Sequence, residues 1–365
     1  MLAYTQLTLV RNKLREISES PYFSQDLHKY LVQLNSVADK LCDDHASIDE
    51  QTIVMCTQFI TNAVNFFNSS TTKKIPYEIV YCLNEACQQW ISDKTLITTA
   101  LSPDIMGFYF KPINKEFYEF FEKTLNISFD AELIQISLPE IYRRRPLFST
   151  PLYHELGHYV DISRGISEIS SFYFRQTNNG ILPIPDGKAK WNDSDSDTWL
   201  NHCREYFADL FSSQFVGSSG IDLLKKLAGG ASSSFTHPST QNRIKIVEDF
   251  LSQTKNPVVD MFNAVIEALH KDNKLLCSNL SLPLTQKDVS IAFDNVRPFE
   301  ISDKKEMHSF IDTSWHYLCN IWDNPTGVWA GLSKETIEKT INDLVEKSIR
   351  NVMVIEKWDI YASAK

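Results

Sequence analysis

The chain has 365 residues, a formal net charge of −10, and 43% hydrophobic and 12% aromatic residues. That length holds one large domain or a few smaller ones, and that apolar content excludes a disordered chain. The acidic balance argues against nucleic acid as a partner, because proteins that bind phosphate backbones present a basic face.

The start, Met1-Leu2-Ala3-Tyr4-Thr5, lacks the basic segment, apolar core and small-residue cleavage site of a signal peptide. The pattern predicts a helix over 2–20 ending at Pro21, and a second from Ser24 with Leu27, Leu31, Leu34, Val37 and Leu41 on one face. Ser47-Ile48-Asp49-Glu50 reads as a capping box for a third helix to about Phe67. Residues 68–74 are polar and short, a plausible linker. Pro76 is expected to open a fourth helix through about Trp90.

The periodicity then changes. Residues 95–101 and 107–111 are β-branched or aromatic runs ended by proline, hence strands. Asn114 is expected to cap a helix carrying Phe117, Phe120 and Phe121. Residues 131–138 alternate, with Ile134, Ile136 and Leu138 on one face and Gln135 and Ser137 on the other. If this third strand is an exposed edge, an extended peptide can pair with it. The basic run Arg143-Arg144-Arg145 reads as a solvated turn before Pro146.

Residues 164–198 look least regular, and a long irregular loop often lines a cleft or covers it. Asp193, Asp195 and Asp197 lack the glycine and terminal glutamate that a calcium loop needs. A helix is expected from Trp199, another after His237-Pro238 to Leu251, and more after Pro257. The last begins at Ser333 and puts Ile337, Ile341, Leu344 and Val345 on one face. The seven cysteines form no C-x-x-C pair, which suggests a reducing, cytoplasmic setting. No apolar run reaches the roughly 18 residues of a membrane span.

One stretch carries chemistry: Tyr153-His154-Glu155-Leu156-Gly157-His158, an H-E-x-x-H sequence. On a helix, His154 and His158 share a face and can hold one Zn²⁺, while Glu155 stands beside them to act as base on a water. A catalytic zinc usually takes three protein ligands. Asp161 and Arg164 occupy the positions where the H-E-x-x-H-x-x-G-x-x-H class needs glycine and histidine, so that class is excluded. Glu205, on a separate helix 47 positions beyond His158, fits as third ligand. Asp209, one turn on, can accept a hydrogen bond from a ligand imidazole and fix its tautomer. Ala208 between them lets the helix approach closely, and His202 and Cys203 are the nearby rival ligands.

His-Glu-Leu-Gly-His at 154–158, followed by Arg-Glu-Tyr-Phe-Ala-Asp-Leu-Phe at 204–211, resembles the gluzincin zinc metallopeptidases, which hold zinc with two histidines and the glutamate of E-x-x-x-D. Thr-His-Pro-Ser-Thr-Gln-Asn-Arg-Ile at 236–244 looks like the H-P-x-x-x-x-R-I segment of the prenyl-protease and HtpX-like branch. The resemblance covers under a third of the chain. It implies His154, His158 and Glu205 as zinc ligands, Glu155 as general base, and Asp209 as the carboxylate behind a ligand imidazole. It further implies that His237 and Arg243 stabilise the transition state and position Asp209 or the substrate. Unlike the membrane-embedded members of that branch, this sequence has no apolar span, so prenylated or lipid-buried substrates are not expected.

The expectation is therefore a mostly helical α+β protein. Residues 1–74 form a helical region, 75–255 a zincin-like core with a small mixed sheet packed on the H-E-x-x-H helix, and 256–365 a second helical region. Its function is that of a soluble zinc-dependent metallopeptidase with one Zn²⁺ per chain and a protein or peptide substrate. A metal-dependent hydrolase of small amides and a zinc-keeping scaffold or regulator are the alternatives. Glu155 has no use in a purely structural zinc site.

Overall fold

The computed structural model describes residues 1–20, 23–70, 77–92, 94–177, 195–284 and 287–363. They form two compact units: Met1–Val80 with Asp93–Glu140, and Tyr81–Ser92 with Ile141–Lys365. This cut differs from the expected regions 1–74, 75–255 and 256–365, because the strands fall with the N-terminal helices.

The first unit holds α1 (Leu2–Ser18), α2 (Gln25–Asp43), α3 (Glu50–Ser69) and the opening of α4 (Tyr77–Gln88). Strands β1 (Thr95–Ser102) and β2 (Tyr109–Pro112), helix α5 (Glu116–Leu125) and strand β3 (Glu132–Pro139) complete it. Ser24 caps α2 as expected, accepting the Leu27 N–H. The third helix is capped by Asp49, whose side chain accepts the Thr52 N–H at 2.9 Å, while the Ser47 hydroxyl turns back to Asp44. Asn114 accepts the Glu116 N–H at the start of α5. The expected boundaries at Pro21 and Pro76, and the linker beyond Ser70, lie outside the described residues.

Helical spacing puts Leu31, Leu34, Ile60, Phe67 and Phe121 into one apolar core, where Phe59 meets Phe121 edge to face. The sheet order is β1-β3-β2. β3 pairs in parallel with β1 (Ile97 beside Ile134) and antiparallel with β2 (Phe110 beside Ile136). The strand expected as a possible edge is therefore the central one, its backbone already paired on both sides, and peptide addition there is overturned. Burial agrees, since Gln135 and Ser137, on the face opposite Ile134 and Ile136, are both buried. Helix α3 lies against β1 and β3. The sheet belongs to this first unit, whereas the H-E-x-x-H helix belongs to the second.

The second unit is helical. α6 (Pro151–Arg164) starts with proline in its first turn and stops at Gly165, which takes the left-handed conformation. α7 (Ile166–Thr177) occupies part of the stretch expected to be irregular, and the rest of it, 178–194, lies outside the described residues. α8 (Asp195–Val216) begins four residues before the expected Trp199, so Asp195 and Asp197 open a helix. α9 (Ser219–Ala228), α10 (Thr240–Leu251), α11 (Pro257–Lys271), the short α12 (Ser290–Phe293), α13 (Glu306–Asp323) and α14 (Lys334–Ser363) follow. Ser333 caps α14, accepting the Thr336 N–H at 3.1 Å, and Ile337, Ile341, Leu344 and Val345 are buried. Among the described residues no helix is long and apolar enough to cross a membrane.

α8 is the axis of this unit. From Glu205 to Val216 every residue is buried, which is how a helix behaves when neighbours surround it. Helices α6, α7, α9, α10 and α13 all pack on it. The tightest approach is to α6, where a Cβ added to Gly157 would stand 2.9 Å from the Ala208 Cα and 3.1 Å from the Phe211 Cβ. Tyr153 anchors the same helix to α13 through a 2.8 Å bond between its hydroxyl and His308 Nδ1. Burial pushes the His308 imidazole down to about 3, so it stays neutral.

Gly157→Ala gains about 1 kcal/mol of helix propensity but drives a methyl into the Ala208 backbone. The expected net result is a loss of about 1–3 kcal/mol, read as a lowered urea midpoint, together with weaker metal binding as the two helices part.

Candidate metal centre

α6 and α8 each contribute half of the site. His154 and His158 stand one turn apart on α6, with ring centroids 4.6 Å apart and planes nearly perpendicular. Glu205 faces them from α8, with His154 Nε2 3.5 Å from one carboxylate oxygen and His158 Nε2 3.5 Å from the other. One donor atom from each of the three lies within 4.8 Å of the others, so the group can hold a metal ion. The donor chemistry fits, since two imidazole nitrogens and a carboxylate oxygen suit a borderline divalent ion. The three side chains keep 16%, 15% and 11% exposure, so the cluster is sheltered without being sealed.

The groups behind these donors orient them. Asp209, one turn after Glu205, puts a carboxylate oxygen 2.9 Å from His154 Nδ1. A proton on Nδ1 then faces Asp209, leaving Nε2 directed at the metal position. Arg243, from α10, forks onto Asp209 with two bonds of 2.7 Å and reaches Glu205 at 3.3 Å. The guanidinium matches a carboxylate in this bidentate way because its N–H groups lie in one plane.

The buried charges set each other's protonation. Burial works to raise the Glu205 carboxyl, but His154 and His158 outweigh it and hold it well below the usual carboxylate range. Asp209 is lowered too, with Arg243 and His154 overcoming its burial. Burial opposes a charge on His154, yet Asp209 and Glu205 raise its imidazole to about 10. Arg243 is raised as well, against its burial, chiefly by Asp209. In the metal-free protein two cations, Arg243 and protonated His154, thus balance two carboxylates.

The rival ligands face elsewhere. His202 is buried and its Nε2 meets the Ser234 carbonyl at 2.8 Å. Cys203 is buried, which pushes its thiol up, away from the thiolate form a metal requires. His237 lies on the open side, 59% exposed, with Nε2 3.6 Å from Glu205. Glu155 is half-buried beside the ligands. The sequence residues His154, His158, Glu205, Asp209, Arg243 and His237 therefore converge in one place.

Asp161 was read in the sequence only as a bar to another ligand pattern, and the structure adds more. Its carboxylate is buried one turn after His158 and accepts the Ser167 N–H at 2.6 Å, tying α6 to the start of α7. Burial raises it to about 6, opposed by Ser167, His158 and Arg204. Its spacing of three from His158 was the available signal.

No family model, curated protein or solved structure matches the chain.

A metal ion and a proton compete for His154 Nε2, which faces Glu205. Uptake of Zn²⁺ at pH 7 is expected to release about one proton per chain, measurable by calorimetry in buffers of different ionisation enthalpy. The His154 proton stabilises the metal-free fold fully below pH 6.5, and this contribution is lost as pH rises through about 10. The metal-free melting temperature should therefore fall across that window, while the loaded protein changes less.

Proposed function

We propose that this chain is a zinc-dependent metallopeptidase of the gluzincin type, with a zincin-like site built on α6 and α8 and a protein or peptide substrate. The observation that supports it most is the convergence of His154, His158 and Glu205 from two helices, backed by Asp209 and Arg243. A bound Zn²⁺ would supply Lewis acidity, polarising a substrate carbonyl and lowering the pKa of a water to about 7.

The chain's own residues do the rest. His154, His158 and Glu205 would hold the ion. Glu155, next to the first ligand and partly open to solvent, takes a proton from the attacking water and returns it to the leaving amine. His237, exposed with Nε2 3.6 Å from Glu205, would donate Nε2–H to the oxygen that gains charge; one such donor is worth roughly 3–4 kcal/mol. Asp209 holds the His154 tautomer, and Arg243 keeps Asp209 charged while reaching Glu205 as well. The presence of Glu155 separates this reading from a zinc-keeping scaffold, where a base beside the ligands has no task.

The test pairs metal analysis of purified protein with cleavage of a proteome-derived peptide library. Glu155→Gln should retain one zinc per chain and lose on the order of 10²–10⁴ in kcat. Undiminished cleavage by zinc-loaded Glu155→Gln would falsify the mechanism. Zinc bound by the wild type with no cleavage of any peptide would leave the scaffold.

A further inference from the structure

The turn at 234–237 is held by hydrogen bonds of its own and by two side chains of α8. The Ser234 N–H donates to the His237 carbonyl at 2.8 Å, and the His237 N–H donates to the Ser234 hydroxyl at 3.0 Å. Two side chains of α8 then hold its outer carbonyls. His202 Nε2 binds the Ser234 oxygen at 2.8 Å, and Asn201 donates to the Phe235 oxygen at 3.4 Å. A carbonyl only accepts, so His202 carries its proton on Nε2. Both residues lie about one turn before Glu205 on the same helix, so the turn is referenced to the proposed metal ligand. The Thr236 hydroxyl lies 2.8 Å from His237 Nδ1, leaving Nε2 toward Glu205.

This rigid turn exposes two large side chains. One is His237. The other is Phe235, 57% exposed, with its Cα within roughly 7 Å of the His237 Cα because a single residue, Thr236, separates them. The turn carries no acidic, lysine or arginine side chain. A phenyl ring held in water one residue from His237, whose Nε2 lies 3.6 Å from Glu205, offers apolar area that a substrate side chain can cover.

We propose that the 234–237 turn is the substrate-facing rim of the metal cleft, that Phe235 selects a bulky apolar residue next to the scissile bond, and that His202 is the positioning residue that holds the rim. The inference rests on the metallopeptidase reading above.

The test uses the zinc-loaded full chain and two zinc-chelating probes, acetohydroxamate and a leucine-derived hydroxamate, with affinities measured by calorimetry. The wild type should prefer the leucine probe by about 10- to 100-fold. Phe235→Ala, an exposed change, should bring the two probes to within a few-fold of each other while leaving acetohydroxamate binding and zinc content unaltered. His202→Leu should erode the same preference, and His202→Gln, which keeps an N–H for the Ser234 carbonyl, should restore it. Equal affinity for both probes in the wild type, or a preference that survives Phe235→Ala, overturns the role of Phe235 and leaves the metal site standing. A preference unchanged in His202→Leu overturns the role of His202. If neither probe binds the loaded wild type, the metallopeptidase reading fails, and this one with it.

Discussion

The close crossing of α6 and α8 is the constraint on which the second unit depends. A zinc-sized site needs donors from both helices within a few ångströms, and helices with ordinary side chains at their contact stay about 8–10 Å apart between axes. Gly157 and Ala208 remove the bulk at that contact, and no atom larger than hydrogen fits on Gly157 without meeting the Ala208 backbone. Gly157 lies between the two histidines, and Ala208 between Glu205 and Asp209. The small residues therefore sit where they bring the four polar side chains to one depth.

Closeness alone would leave an unstable site, because charges taken from water cost several kcal/mol each unless they are matched. Here they are matched in advance. Arg243 spans Asp209 and Glu205, Asp209 meets His154, and His154 and His158 meet Glu205. Because each carboxylate has a permanent partner in Arg243, a metal ion entering the group would find its donors already oriented. The 234–237 turn extends the same economy of parts, with α8 anchoring the segment that carries His237.

Much of the local structure was legible in the sequence. Ser24 and Ser333 start helices by offering a side-chain oxygen to a free N–H, an interaction set within four residues. Ser47 was expected to cap α3 through a capping box, but Asp49 stands just before the same apolar run and took the role. The helix over 166–177 was missed because its buried face sets Ser167, Ser170 and Ser171 between Ile166 and Phe174, which interrupts any apolar stripe, while Ile169, Phe172 and Tyr173 face outward. The alternation of β3 suggested a half-exposed strand, but partners on both edges and cover on both faces buried it.

For the candidate site, the sequence by itself determined the pairing of His154 with His158 and of Glu205 with Asp209, because the pitch of a helix fixes which residues share a face. It also determined that Glu155 stands beside the pair. Only the tertiary structure decided that these two faces meet, that His202 turns to the Ser234 carbonyl instead, that Arg243 closes the charge balance, and that the sheet falls with the N-terminal helices. Those outcomes depend on helices and strands far apart in the chain, on the volume of Gly157 and Ala208 at one crossing, and on the desolvation of charges that must find partners once buried. Local spacing carries no information about any of these until the chain is packed.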